Sequence, residues 1–261
     1  TLRGIEPHVL NKKISSIVVR QSSLRWPVPT RILKDKLIDQ TFTSIKRRGK
    51  YLLLESSKEF LIIHLGMSGS LRIIQEEKVK KHDHIDIEFK DGSILRYCDP
   101  RRFGCFLWTE NPESHPLLKN LGPEPLGNQF NGQYLFNVSR GRKTPIKSFI
   151  MNSKFIVGVG NIYANEALFR AKIKPNRQAG RISLKRYEKL SKEIVIILRE
   201  SIEQGGTTLR DFVGSDNKPG YFKQQLEVYG RQGEECKLCS SVLKSLIIGQ
   251  RSSVYCPKCQ N

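Results

Sequence analysis

Four of the six cysteines stand as two pairs, Cys236-x2-Cys239 and Cys256-x2-Cys259, with 16 residues between them. A Cys-x2-Cys knuckle turns tightly enough to aim both sulfurs at one ion, and two knuckles complete a tetrahedron. The spacing therefore predicts one structural Zn2+, with redox-active thiol pairs as the alternative. Cys98 and Cys105 stand apart in an apolar stretch and are expected to be inert core thiols. Secreted disulfide scaffolds are short and cysteine-dense, and this chain is neither.

Charge is the second chemical signal. Lys and Arg number 45 against 25 Asp and Glu, a net charge of +20. That excess points to a polyanion: DNA, RNA or an anionic membrane surface. Residues 11–50 hold eleven Lys and Arg and two Asp, ending in Lys46-Arg47-Arg48-Gly49-Lys50 directly before a strand. Phosphate contact is one reading of this face, and a solvated basic surface is the other. Lys50 favours contact, because Gly49 beside it permits close approach of another backbone.

Three further segments could meet a nucleic acid. Val157-Gly158-Val159-Gly160-Asn161 separates two helical stretches, and Asn161 is a suitable N-cap. A helix start offers free amide groups and a positive dipole end, an anion site. Arg140, Arg142, Lys143 and Lys147 add charge nearby; a plain helix–turn–helix corner is the alternative. In Asp99-Pro100-Arg101-Arg102-Phe103, an Arg could read a base edge while the ring wedges between bases. The alternative there is a structural Arg–Asp pair over a buried Phe. Met67, flanked by Gly66 and Gly69, is placed in a loop. His64, His82 and His84 have no metal-ligand spacing and read as polar or hydrogen-bonded side chains.

These residues need elements to hold them. With 261 residues, 38% hydrophobic and 27% charged, the chain can pack one large domain or two to three small ones. Short Val-, Ile-, Leu- and aromatic-rich runs predict strands at Ile14–Val19, Tyr51–Glu55, Phe60–His64, His84–Phe89, Ile94–Cys98 and Gly104–Trp108. Asp91-Gly92 suits a type I′ hairpin turn. Several short antiparallel strands imply a sandwich or barrel over 1–123. The Gly- and Pro-rich stretch around 121–127 marks a linker, set at 124–130. From Phe130 to Gln204 the period is helical, with a stripe of Leu184, Tyr187, Leu190, Ile194, Ile197 and Ile202. Gly205-Gly206 stops that helix, and Thr207–Tyr221 reads as a long functional loop. Between the cysteine pairs, Val242–Ile248 and Ser252–Tyr255 predict a hairpin turning at Gly249. No run of 18 apolar residues exists, so no membrane span is expected. The segment from Thr1 to Pro7 lacks the pattern of a signal peptide, so secretion is not expected.

Taken together, Arg3 to His8, Leu24 to Pro27, Arg48 to Leu53, His64 to Ser70, Lys81 to His84, Asp99 to Gly104, Leu121 to Pro125, Gly158 to Asn165, Gln204 to Arg210, Lys218 to Tyr221, Val228 to Arg231 and the paired cysteines resemble the formamidopyrimidine-DNA glycosylase family across essentially the whole chain. The resemblance implies an α+β multidomain fold. Its parts are an N-terminal β-sandwich with flanking helices (1–123), a helix–two-turns–helix domain (131–226) and a C-terminal β-hairpin zinc finger (227–261), with DNA across the cleft. It implies a bifunctional glycosylase and AP lyase that removes oxidised purines such as 8-oxoguanine from duplex DNA. The enzyme would act as a cytoplasmic, nucleoid-associated monomer.

By the same resemblance, Lys50 contacts phosphate and assists β-elimination, and Arg251 on the hairpin grips a phosphate and serves δ-elimination. His64 and Asn161 resemble phosphate clamps. His82, Arg101 and Arg142 resemble DNA contacts. Met67, Arg101 and Phe103 match the trio that fills the space left by the flipped base, with Arg101 pairing to the orphan cytosine. Thr207–Tyr221 would close over the extruded purine.

The family attacks C1′ with the amine of an N-terminal proline that is followed by a glutamate. Thr1 aligns about eight residues into the family pattern, so the 261 residues are expected to lack that nucleophile, while the natural protein is expected to be the enzyme. The alternatives are an endonuclease VIII-type enzyme for oxidised pyrimidines and a non-enzymatic DNA-binding zinc-finger protein.

Overall fold

The computed structural model describes residues 1–76, 78–205 and 226–261. The expected loop Thr207–Tyr221 lies outside the described residues. Two compact units divide the chain, one holding Thr1–Lys119 and the other the described residues from Asn120 onward.

The first unit is a sandwich of two antiparallel four-stranded sheets. Its elements are helix α1 (Leu2–Val9), strand β1 (Ile14–Val19), helix α2 (Thr30–Leu37) and strands β2 (Ser44–Arg48), β3 (Tyr51–Ser56), β4 (Glu59–His64), β5 (Ser70–Ile74), β6 (Asp83–Phe89), β7 (Ile94–Cys98) and β8 (Cys105–Thr109). The sheets run β1-β6-β7-β5 and β2-β3-β4-β8. Alternation drives the packing. Leu52 and Leu54, Leu61 and Ile63, Ile85, Ile87 and Phe89, and Leu95 and Tyr97 face one shared core. The helices close it with Ile5 and Val9, and with Leu33 and Leu37 one turn apart.

Turn chemistry differs from expectation at one hairpin. Only Gly92 in the β6–β7 loop has positive φ, at 83°. Asp91 instead accepts from the amide and hydroxyl of Ser93. The connection is therefore a type I turn with a left-handed glycine after it, and not type I′. The type I′ geometry occurs elsewhere, at Gly249 and Gln250, where φ is 53° and 60°.

The second unit contains α3 (Gly132–Ser139), α4 (Ile146–Met151), α5 (Asn161–Arg170) and α6 (Leu184–Glu203), followed by the hairpin β9 (Lys244–Ile248) and β10 (Arg251–Tyr255). The stripe of α6 buries Tyr187, Leu190, Ile194 and Ile197. Ile202 leaves it, being 43% exposed. Ser201 turns inward in its place, 2.6 Å from the hydroxyl of Tyr163. Phe169 of α5 joins Val228, Leu243 and Val254 in a small core that seats the hairpin. Among the described residues, no helix is long and apolar enough to cross a membrane.

Candidate nucleic-acid interface

In the first unit, a two-residue turn joins β2 to β3. Gly49 takes φ 59° at its first position, which places Lys50 at the second. Tyr51 then pairs with His64 across β3 and β4, so Lys50 precedes the residue opposite His64 and its charge reaches the imidazole. Burial first, then the charges of Lys50 and Arg25, pull the His64 pKa down to about 4. The amide of Gly66 donates to His64 Nδ1 at 2.9 Å, so the ring proton resides on Nε2. His64 is therefore a neutral donor at physiological pH, able to offer Nε2–H to a phosphate without carrying charge.

Met67 sits in the turn after β4 and is 68% exposed. The turn between β7 and β8 carries Arg101 and Phe103. The guanidinium of Arg101 lies 4.7 Å from the ring centroid of Phe103, and Phe103 is 43% exposed. The expected alternative, a buried Phe beneath an Arg–Asp ion pair, does not hold. Asp99 accepts from backbone amides and neutral hydroxyls. Arg102 adopts φ 55°, a strained conformation for a residue with a side chain. His82 adjoins this turn, its carbonyl accepting the amide of Asp99 at 3.0 Å. Lys50, His64, Met67, Arg101 and Phe103 thus lie on adjoining turns and strand ends of one unit.

In the second unit, the N-cap of α5 is Gly160, and Asn161 is the first helical residue. This corrects the expectation that Asn161 caps the helix. Gly160 supplies no side-chain cap, and the positive dipole end of the helix favours an anion there. Asn161 is held by Asn165, whose Nδ2 donates to the Asn161 carbonyl at 2.7 Å. The Asn165 Oδ1 accepts the amide of Val254 on β10 at 2.8 Å, so one buried side chain ties the helix start to the hairpin. Arg142 is exposed and lies over Phe155, 4.2 Å from its centroid, with Nε donating to the Val138 carbonyl. Arg251 opens β10 directly after the type I′ turn, opposite Ile248.

Four residues that the sequence did not single out as site residues help build these sites: Arg25, Asp99, Lys147 and Asn165. Arg25 donates its amide to the Gly104 carbonyl and its charge acts on His64. It lies in a sequence block that carried the family likeness, which was the available signal. In sequence Lys147 counts among the charges expected to favour an anion near Asn161, yet it is 1% exposed and its ammonium is taken up inside the protein. Its Nζ donates to the Ser252 carbonyl and the Ser253 hydroxyl at 2.6 and 2.7 Å. Burial, then the charge of Arg251, lowers its pKa to about 8.

The sulfurs of Cys236, Cys239, Cys256 and Cys259 all lie within 4.8 Å of one another. Three of the S···S separations are 3.4, 3.5 and 4.0 Å. A tetrahedron with Zn–S near 2.3 Å has S···S edges of about 3.8 Å, so this donor set fits one Zn2+. Cys105 is buried and Cys98 half-buried. Burial foremost pushes their thiols up to about 12 and about 11, which keeps them protonated and unreactive.

Comparison with known proteins follows the same division. Residues 1–106 match the formamidopyrimidine-DNA glycosylase N-terminal domain, 121–213 the H2TH domain of that family, and 233–261 the zinc finger found in FPG and IleRS. The chain is 54% identical over 261 residues to formamidopyrimidine-DNA glycosylase of Stutzerimonas stutzeri, covering 100% of this chain and 96% of that protein. It is 55% identical over 262 residues to the Methylococcus capsulatus protein of the same name, with the same coverage. Among solved structures, the Lactococcus lactis Fpg complex with abasic-site DNA superposes with a TM-score of 0.91 at 31% identity, covering 99% of this chain and 96% of that one. The complex of the same protein with N7-benzyl-Fapy-dG DNA gives a TM-score of 0.90 at 31% identity and the same coverage. The chain belongs to the formamidopyrimidine-DNA glycosylase family.

Proposed function

We propose that this protein is a base-excision-repair glycosylase and AP lyase that removes oxidised purines from double-stranded DNA, acting as a monomer in the cytoplasm at the nucleoid. The observation that carries this reading is the Arg101–Phe103 stack, on a turn whose backbone packs against the turn of the exposed Met67. An enzyme that works on a base inside a duplex must extrude it, at a cost of a few kcal/mol. Exposed apolar side chains on braced turns offset that cost by refilling the stack. Arg101 and Phe103 already lie against each other, so less rotamer freedom is lost on insertion. The L. lactis relative, seen with abasic-site and N7-benzyl-Fapy-dG DNA, supports the substrate class.

In this reading Lys50 holds a phosphate at the rim of the site and assists β-elimination. His64 offers Nε2–H to a second phosphate, and Asn161 at the start of α5 takes a third. Arg251 grips the phosphate that leaves in δ-elimination. Arg142 and His82 contact the backbone, and Arg101 donates to the orphan cytosine. Bound Zn2+ would supply no chemistry to the DNA; held by the four thiolates, it would fix the hairpin that carries Arg251.

The test is binding of Arg101→Ala to duplexes with an abasic-site analogue opposite C or A, across a salt series. A lost base-edge contact removes about 1–3 kcal/mol of preference for C and leaves the salt slope in place. Equal weakening of both duplexes, with the salt slope lower by about one, would make Arg101 a phosphate contact and end the orphan-base role.

A further inference from the structure

Met67 and the Arg101–Phe103 pair come from different connections, the one after β4 and the one between β7 and β8. A single buried carboxylate joins them. Asp99 is fully buried. Its Oδ1 accepts the Ser68 hydroxyl at 2.9 Å, on the Met67 side, and the Arg101 amide at 3.3 Å. Its Oδ2 accepts the Gly104 amide and the Tyr97 hydroxyl, each at 2.9 Å. Its backbone carbonyl meets His84 Nε2 at 2.8 Å. Among the described residues, no Lys or Arg forms an ion pair with it. Both carboxylate oxygens are committed to neutral donors, and all of these but Tyr97 of β7 belong to the two turns.

The backbones of the turns also touch. A Cβ at Gly66 would sit 2.6 Å from both the Gly104 nitrogen and the Phe103 carbonyl carbon. A Cβ at Gly104 would sit 2.4 Å from the His64 carbonyl. Neither turn can shift without displacing the other, and the His64–Gly66 hydrogen bond extends the block to the proposed phosphate grip. The left-handed Arg102 is the strain that such bracing can hold in place.

We infer that Asp99 is a positioning residue that couples Met67 to Arg101 and Phe103, so that the three side chains enter the DNA stack as one unit. This rests on the void-filling role proposed above. Through Ser68, the carboxylate fixes where Met67 stands relative to the Arg101–Phe103 stack. Insertion of either part then presents the other already in place, and removing one part removes much of what the other contributes. A carboxylate that merely stabilised the sandwich would leave the two contributions independent.

The test is a double-mutant cycle between Met67→Ala and Arg101→Ala in the full chain. Its readouts are affinity for a duplex with an abasic-site analogue opposite C, fluorescence of 2-aminopurine beside the analogue, and thermal melting of every variant. Each single variant is expected to weaken binding, and the double variant to fall short of the product of the two by about fivefold or more, as residues joined by one hydrogen-bond network do. Ser68→Ala removes only the Met67-side bond; the other Asp99 bonds stay. In that background the two effects should multiply, and 2-aminopurine should report a less complete insertion, with melting little changed. Asp99→Asn should do the same if it folds. Multiplying effects in the parent chain, or coupling that survives Ser68→Ala, would overturn the inference. If neither single variant alters affinity or 2-aminopurine fluorescence, the void-filling role itself fails and takes the inference with it.

Discussion

The buried ammonium of Lys147 lies 2.6 Å from the carbonyl oxygen of Ser252, the residue after Arg251. A helix side chain thus fixes the strand that presents a proposed phosphate grip. Lys147→Met keeps the volume of the stem and leaves the Ser252 carbonyl and Ser253 hydroxyl without this donor, a cost of about 1–3 kcal/mol. The expected outcome is weaker binding to every duplex, with the salt slope lower by about one through misplacement of Arg251, and with zinc content unchanged. Binding across a salt series together with metal analysis checks it. An unchanged slope would separate Lys147 from the grip.

Zinc removal should act on the same hairpin by another route. The four sulfurs already stand near the edges of a Zn-sized tetrahedron. Freshly purified protein is expected to carry one Zn2+ per chain. Cys256→Ser should disorder the segment carrying Arg251 and lower DNA affinity, while the sandwich core keeps its melting transition. Protein without zinc that binds duplex at full affinity would contradict this.

His64 should stay neutral far below the ordinary histidine range. Its pKa is pulled to about 4 by burial, then by Lys50 and Arg25. A histidine whose folded-state pKa lies below its unfolded value binds its proton more readily when unfolded. Its contribution to stability is therefore intact above about pH 6.5 and declines as pH falls towards 4. Nitrogen-15 NMR of the imidazole should show an unprotonated Nδ1 and a protonated Nε2 at pH 7, with a titration midpoint near 4. A midpoint near 6.5, or a proton on Nδ1, would remove the neutral-donor account.

Asp86 is buried between two guanidinium groups, with both oxygens taken by Arg96 and one shared with Arg20. Burial pushes its carboxyl up, but the hydrogen bonds from Arg96 and Arg20 outweigh it and hold the pKa below the usual carboxylate value. The stability it brings is present above the unfolded value of about 3.9 and is lost as pH falls through the folded one. Asp86→Asn removes the charge between two cations and should cost about 3–5 kcal/mol at pH 7. The penalty should shrink as the parent is acidified below pH 4. A constant penalty across that range, measured by denaturant melts, would show that charge is not its source.

The parts legible in sequence were those whose signals are local. Alternation gives β6, with Ile85, Ile87 and Phe89 inward, and the 3.6-residue period gives α6 as far as Ile197. The cysteine spacing gives the metal site. Strand β2 escaped notice because it is basic and mostly exposed, and is held by its register with β3. Strand β5 contains Arg72, a buried charge that is held by Asp83 of β6. Helix α2 is short and inward only at Leu33 and Leu37. In the site, Lys50, Met67 and Phe103 announced themselves through glycine- or proline-bearing turns. Asp99, Asn165 and Lys147 did not, because their partners lie 31, 89 and 105 residues away in sequence. Their roles are set by tertiary contact, which no local pattern encodes.

Borohydride trapping of the natively expressed protein on a duplex with 8-oxoguanine opposite cytosine tests the central claim most directly. The account predicts release of free 8-oxoguanine and a covalent protein–DNA adduct, formed when borohydride reduces the Schiff base at C1′. It also predicts weaker trapping on duplexes carrying an oxidised pyrimidine. A folded, zinc-loaded protein that binds the duplex yet releases no base and traps no DNA would contradict it.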